Sequence, residues 1–267
     1  MAALSPSAFV PLPPADERTL RKPVPPLTEG PLALPHSLRG RRNFAHGMLD
    51  ELKSFVASVL ECDVEDLPRL HELPEGLRAL GGSGSFRHDP FCKRWTSRLG
   101  SDAELRSRLD DLTRRFVSDA SAAFDEYAAG GFVYQRVPSL RVHMPGARPL
   151  GVPHKDADYF HQPGEVNLWV PLTRCAGTNS LYCESRPGAA DYSPFEVEPG
   201  EACRFWGNQC MHFTLPNETP TTRVSLDVRV VPMALHVDDW ASPKGRVAFQ
   251  LGGYYASLDE ATVPGPG

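Results

Sequence analysis

Across residues 43–61 apolar side chains recur at spacings of three and four: Phe44, Met48, Leu52, Phe55 and Val59. That period predicts an amphipathic helix. A longer stripe occupies 101–129, where Leu105, Leu109, Leu112 and Phe116, then Phe124 and Tyr127, share one helical face. Ser101 and Glu104 have capping-box spacing at its start, and Gly130-Gly131 is expected to end it. Residues 62–100 show no clean period, and GGSGS at 81–85 reads as a flexible loop. From residue 131 the period drops to two. GFVYQRV, LRVHM, EVNLWVPL, NSLYCE, EACRFW, MHFTL and RVSLDVRVV are all strand-like, separated by Pro, Gly and Asn. Helices followed by consecutive strands predict an α+β domain with a mostly antiparallel sheet, and this number of short strands fits a jelly roll or small barrel.

Strand parity sharpens that picture, because successive side chains point to opposite faces. In RVSLDVRVV one face carries Arg223, Ser225, Asp227 and Arg229, and the other Val224, Leu226, Val228 and Val230. EVNLWVPL sets Glu165, Asn167 and Trp169 against Val166, Leu168, Val170 and Leu172. LRVHM sets Arg141 and His143 against Leu140, Val142 and Met144. A single such strand is ordinary for a sheet with one wet face. Three of them beside a histidine-rich stretch suggest that the polar face lines a ligand cavity. A guanidinium buried there keeps its charge and needs an anion.

Composition changes the picture little. The 267 residues are 41% hydrophobic and 23% charged, with a formal net charge of −5, which suits a globular protein and gives no sign of a nucleic-acid or anionic-membrane partner. No run reaches the roughly 18 apolar residues of a membrane span. MAALSPSAFVPLPP lacks a basic n-region, so a cytoplasmic location is expected. The six cysteines form no C-x-x-C pair and are expected as free thiols. The prolines concentrate near the N-terminus, so 1–40 is expected to be an irregular arm. Residues 41–267 then form one domain: a helical part at 41–130, a strand core at 131–232 and a C-terminal extension at 233–267.

The chemistry centres on VPHKDADYFH, residues 152–161. If this stretch is extended, His154 and Asp156 point to one side with Cα atoms roughly 6.5 Å apart, a gap that a metal can bridge. Lys155 then faces away. A second histidine would complete a two-His-one-carboxylate triad, whose open positions suit non-haem Fe(II). His143, His161 and His212 are the candidates.

At this point the chain resembles a known family, the Fe(II)/2-oxoglutarate-dependent oxygenases with a double-stranded β-helix core. The family pattern is H-x-D, a distal His about fifty residues on, and an Arg about ten beyond that. His154-x-Asp156, His212 and Arg223 match it. The stretches HKDADYFHQPGEVNLWVPLT, GTNSLYCESRPG and TTRVSLDVRVVP look most like the phytanoyl-CoA hydroxylase-like branch, and within it oxygenases of antibiotic biosynthesis of the streptomycin-cluster type. The likeness covers roughly residues 131–232.

The resemblance implies a jelly-roll (cupin-like) double-stranded β-helix with N-terminal helices packed on one sheet. It implies that His154, Asp156 and His212 hold Fe(II), and that Arg223, helped by Ser225, takes the distal carboxylate of 2-oxoglutarate. Asn167 and Trp169 would touch that cosubstrate or shape the oxygen site. O2 would be consumed and succinate and CO2 released, with ascorbate serving as the reductant in vitro. Halogenating relatives have Gly or Ala where Asp156 stands, so the carboxylate implies hydroxylation, desaturation or cyclisation. Arg141, His143, Asp158, Tyr159, His161 and Arg229 are expected near the entrance, with Tyr182, Glu184 and Arg186 behind them. Together they suggest a small polar substrate, amino-acid-like or sugar-like. A metal-binding cupin acting as an isomerase or sensor without 2-oxoglutarate is the alternative. A β-sandwich binding module with an accidental motif is a third reading.

Overall fold

A computed structural model describes residues 40–43, 47–79, 89–121, 131–238, 240 and 249–258. Helix α1 spans Met48–Leu60, α2 Pro74–Ala79, α3 Pro90–Ser101 and α4 Ala103–Ser121, with a 3₁₀ stretch at Val64–Glu72. The strands are β1 Gly40–Asn43, β2 Phe132–Gln135, β3 Ser139–His143, β4 Val166–Pro171, β5 Leu181–Cys183, β6 Ser193–Pro194, β7 Glu201–Phe205, β8 His212–Thr214, β9 Arg223–Pro232 and β10 Tyr255–Leu258.

All pairings between these strands are antiparallel, in two sheets. The larger runs β1-β7-β4-β9-β2-β10, and β3 shares the β2 edge of the ten-residue β9. The smaller runs β6-β5-β8, and an isolated bridge from His154 to His212 adds the 152–154 segment beside β8. From β3 onward the chain alternates between sheets: β3 large, the His154 bridge small, β4 large, β5 and its neighbour β6 small, β7 large, β8 small, β9 large. That alternation is the double-stranded β-helix expected from the sequence.

The two faces of the large sheet differ as parity predicts. Leu140, Val142, Val166, Leu168, Val170, Val224, Leu226, Val228 and Val230 join Leu52, Phe55, Trp95, Leu99, Leu109 and Phe116 in one core, so α1, α3 and α4 cover that face. A second cluster, including Trp169, Cys183, Phe195, Cys203, Phe205 and Cys210, fills part of the space between the sheets. All six cysteines are free thiols. Among the described residues no helix is long and apolar enough to cross a membrane.

Several boundaries differ from the sequence expectation. Residues 40–43 do not begin a helix: they pair with β7 as an edge strand, and α1 starts only after Gly47. The long helix expected from residue 101 is preceded by a separate one. Asp89 caps α3 by accepting from the Phe91 and Cys92 amides, with Pro90 at the first helical position. Ser101 ends α3 rather than capping α4. Asp102 takes that role, accepting from the Glu104 and Leu105 amides at 3.0 Å. The C-terminal extension also contributes to the core, because β10 pairs with β2. Residues 1–39, Phe44, 81–85, Phe124, Tyr127 and Gly130 lie outside the described residues.

Candidate metal centre

His154 and His212 stand opposite each other in a narrow pair. Each donates its backbone N–H to the other's carbonyl, at 3.1 and 3.0 Å. The two rings adopt the same arrangement. His154 Nδ1 lies 2.8 Å from the Val152 carbonyl, and His212 Nδ1 lies 3.0 Å from the Cys210 carbonyl. A ring nitrogen held by a carbonyl carries the proton, which leaves Nε2 with its lone pair as the potential ligand. Burial, with His154 alongside, pushes the His212 imidazole down to about 4, against the pull of Asp156, so it is neutral near pH 7.

Asp156 opens a 3₁₀ turn over Asp156–Tyr159 instead of continuing an extended segment. Its backbone N–H donates to the Gly207 carbonyl at 2.9 Å. Its Oδ1 lies 3.7 Å from Nε2 of both histidines. The ligand atoms of His154, Asp156 and His212 all fall within 4.8 Å of one another, a spacing that suits a metal ion. Oδ2 is engaged elsewhere: Asn167 Nδ2 donates to it at 2.9 Å and Arg229 Nε at 3.0 Å. Burial alone would raise the Asp156 carboxyl. The Arg229 charge, with His154, overcomes it and holds the group well below the usual range.

Arg223 shares the inner face of β9 and is buried. One guanidinium nitrogen donates to the Asn179 carbonyl at 3.1 Å, and the group lies 5.7 Å from the Trp169 ring centre. Nε has no partner, and neither do the hydroxyls of Ser225 and Ser180, all of them buried. His143 pairs with Arg223 across β3 and β9. Its ring is pushed down to about 3 by burial and then by the Arg223 charge, while the Ala147 and Arg148 backbone opposes the shift. Burial likewise lowers the Arg223 guanidinium, to about 10. A buried cation and two buried hydroxyls without protein partners are what a carboxylate-bearing ligand would satisfy.

Other expected positions move. Asn167 does not face a cosubstrate site with its amide nitrogen, which binds Asp156 and, at 3.1 Å, Asp227. Arg229 is not at the entrance. It is buried between Asp156, Asp227 and Glu165, because a guanidinium on that face finds three carboxylates within 3.5 Å. His161 is not among the grouped ligand atoms: its Nδ1 lies 2.8 Å from Glu165 Oε2 and its ring packs against Phe249. Asp158 closes the local turn by accepting from the Lys155 amide at 2.9 Å. Glu184 is likewise structural, accepting from the Met211 and Ala190 amides. Tyr182 is buried, its hydroxyl donating to the Gly177 carbonyl. Arg186 is exposed. One candidate keeps an outward position: Tyr159 is 43% exposed with its ring edge-on to His154 at 5.0 Å. Arg141 is half-buried and pairs with Ser225 across β3 and β9, and burial lowers its guanidinium against the pull of Asp227.

Two contributors were not read from the sequence. Tyr255 of β10 donates its hydroxyl to Glu165 Oε1. Gly207 lies so close to Asn167 that a Cβ there would sit 2.5 Å from its side-chain oxygen. Tyr255 belongs to a segment without a motif, and Gly207 reveals itself only through a non-local approach.

No family model matches this sequence. Over 125 residues, which are 46% of this chain and 59% of the relative, it is 38% identical to the streptomycin biosynthesis protein StrG of Streptomyces griseus. The match therefore spans less than two thirds of that relative. Among solved structures, the non-haem monooxygenase ThoJ in its nickel complex is 15% identical, with 86% of this chain and 92% of that chain covered and a TM-score of 0.48. EctD from S. alaskensis with 2-oxoglutarate and 5-hydroxyectoine is also 15% identical, covering 79% of this chain and 78% of that one at a TM-score of 0.43. Scores of this size leave the chemistry to be argued from the site itself.

Proposed function

We propose that this chain is a non-haem Fe(II)/2-oxoglutarate-dependent oxygenase acting on a small polar metabolite of secondary metabolism. The observation that carries the reading is the pairing, on one inner face, of a metal-competent triad with a buried guanidinium whose Nε lacks a protein partner. Iron with 2-oxoglutarate and O2 supplies a decarboxylation coupled to oxidation of the substrate, with release of succinate and CO2. His154 and His212 would offer Nε2 and Asp156 Oδ1, a donor set that leaves further positions open. The one carboxylate would offset half of a divalent charge, and the keto acid the rest.

Arg223 would bind the distal carboxylate through its donor fork, with Ser225 and Ser180 adding hydroxyl donors. Trp169 would hold the guanidinium plane from below. Tyr159 and Arg141 would meet the substrate, an arrangement that favours an amino-acid-like or sugar-like molecule. The relative's assignment to streptomycin biosynthesis supports a secondary metabolite. The chemistry would be hydroxylation, desaturation or cyclisation. A cupin-type isomerase or sensor has no use for a buried cation at Arg223. The test is succinate formation with Fe(II), ascorbate, O2 and 2-oxoglutarate, which uncoupled turnover supplies even without substrate. Absence of succinate, together with absence of a charge-transfer band on anaerobic mixing, would overturn the reading.

A further inference from the structure

Asp156 uses its two carboxylate oxygens differently. Oδ1 lies 3.7 Å from both histidine Nε2 atoms, while Oδ2 receives Asn167 Nδ2 at 2.9 Å and two nitrogens of Arg229, each at 3.0 Å. A carboxylate with both oxygens free can bind a metal through both. In a two-His-one-carboxylate site that second bond would occupy one of the positions the chemistry needs open.

Arg229 is itself fixed. The same terminal nitrogen that reaches Asp156 lies 3.0 Å from Asp227 Oδ2, and Nε lies 3.5 Å from Glu165 Oε2. Glu165 is fully buried and accepts from the Tyr255 hydroxyl, which ties the cluster to the C-terminal strand. A guanidinium ringed by carboxylates cannot swing away without stranding buried charges.

We propose that Arg229 is a positioning residue: with Asn167 it pins Oδ2 so that Asp156 offers a metal Oδ1 alone, and Glu165 with Tyr255 of β10 holds Arg229 in place. This rests on the reading of His154, Asp156 and His212 as metal ligands.

The experiment uses the full chain and Co(II) alone, whose visible d–d bands report coordination number and geometry. Arg229→Lys keeps the charge but loses the fork. It is expected to weaken Co(II) binding by about tenfold or more, the usual size of an outer-shell loss, and to shift the bands. Asn167→Ala leaves every ion pair of Arg229 in place and decides the matter should Arg229→Lys not fold; its shift is expected in the same direction and smaller. Tyr255→Phe is expected to move the bands least, but measurably. Parent-like affinity and spectrum in the folded Arg229→Lys protein, or in Asn167→Ala where that variant decides, overturn the proposal. An unchanged Tyr255→Phe spectrum overturns the part assigned to β10. The ligand reading fails separately: in that case the parent binds no Co(II), or His154→Ala binds it as well as the parent.

Discussion

His154 and His212, far apart in sequence, exchange both backbone hydrogen bonds, at 3.1 and 3.0 Å. Their rings sit 4.4 Å apart, each with Nδ1 against the carbonyl two residues earlier. The pair is therefore set by backbone pairing before any metal arrives. Replacing either ring by alanine is expected to leave the sheet intact and to lower metal affinity by more than about 100-fold, beyond what an outer-shell change produces. Circular dichroism and a Co(II) or Fe(II) titration would check both halves. A His212→Ala protein that keeps parental affinity would remove His212 from the ligand set.

Asp156 and Lys155 are neighbours with opposite expected sensitivities. Asp156→Ala removes the only carboxylate among the three proposed ligands and leaves Arg229 with one anion fewer. Substrate oxidation is expected to vanish and thermal stability to fall. Lys155 takes part in the local turn through its backbone N–H, so Lys155→Ala should keep activity within about twofold, as surface changes away from such features do. Succinate release in the two variants measures the difference.

The strands and their faces were legible because parity is a local property. Leu140, Val166 and Val224 reach the helix-covered core, and Arg223, Ser225 and Asp227 reach the other face, as alternation requires. The triad was legible through a pattern of intervals matched to a known family, since no local rule chooses His212 over His143 or His161. What stayed hidden depends on partners distant in sequence. Arg229 reads as one more polar residue until Asp156 and Glu165 are folded onto it. The split between α3 and α4 was missed because Ser101 offers the same capping chemistry as Asp102, one residue away.

Gly207 is expected to be intolerant of even one added methyl group. A Cβ there would meet Asn167 Oδ1 at 2.5 Å and a Phe205 ring carbon at 2.8 Å. The same residue's carbonyl receives the Asp156 amide. Gly207→Ala should therefore displace Asn167 from Asp156 and weaken metal binding by about tenfold, the low end of outer-shell effects. A Gly207→Ala protein with parental Co(II) affinity would show that Asn167 moves without consequence for Asp156.

His143 predicts a pH effect in the metal-free protein. Its ring is held down to about 3, from an ordinary 6.5, chiefly by burial and then by Arg223. Between those values the unfolded chain binds a proton that the folded one does not, so stability falls as pH falls. The slope approaches about 1.4 kcal/mol per pH unit, or about 2 kcal/mol lost by pH 5. His212, pushed down to about 4, adds a parallel loss. His143→Gln removes one contribution, so its urea midpoint should drop less than the parent's between pH 7 and pH 5. Equal drops would mean that His143 titrates normally.

Arg223 sets function against stability. Its guanidinium is buried, with one hydrogen bond to the Asn179 carbonyl, a tryptophan ring alongside and an Nε that finds no protein partner. Such a charge is costly until an anion arrives. Arg223→Ala is therefore expected to raise the 2-oxoglutarate dissociation constant by more than about tenfold, a modest share of the 2–5 kcal/mol typical for stranding one partner of a buried charge pair. Metal binding should persist, because Arg223 touches none of the three proposed ligands. Arg223→Lys should recover only part of the affinity, since an ammonium lacks the two-pronged contact. Arg223→Met should do the opposite to the fold, raising the melting temperature of the ligand-free protein by a few degrees for a gain of about 1 kcal/mol. Adding 2-oxoglutarate with the metal should then stabilise the parent far more than the Arg223→Met protein. The anaerobic charge-transfer absorbance reads the first effect and thermal melts the second. Unchanged cosubstrate affinity in Arg223→Ala would move the anion site to another guanidinium, with Arg141, paired with Ser225 across β3 and β9, as the candidate.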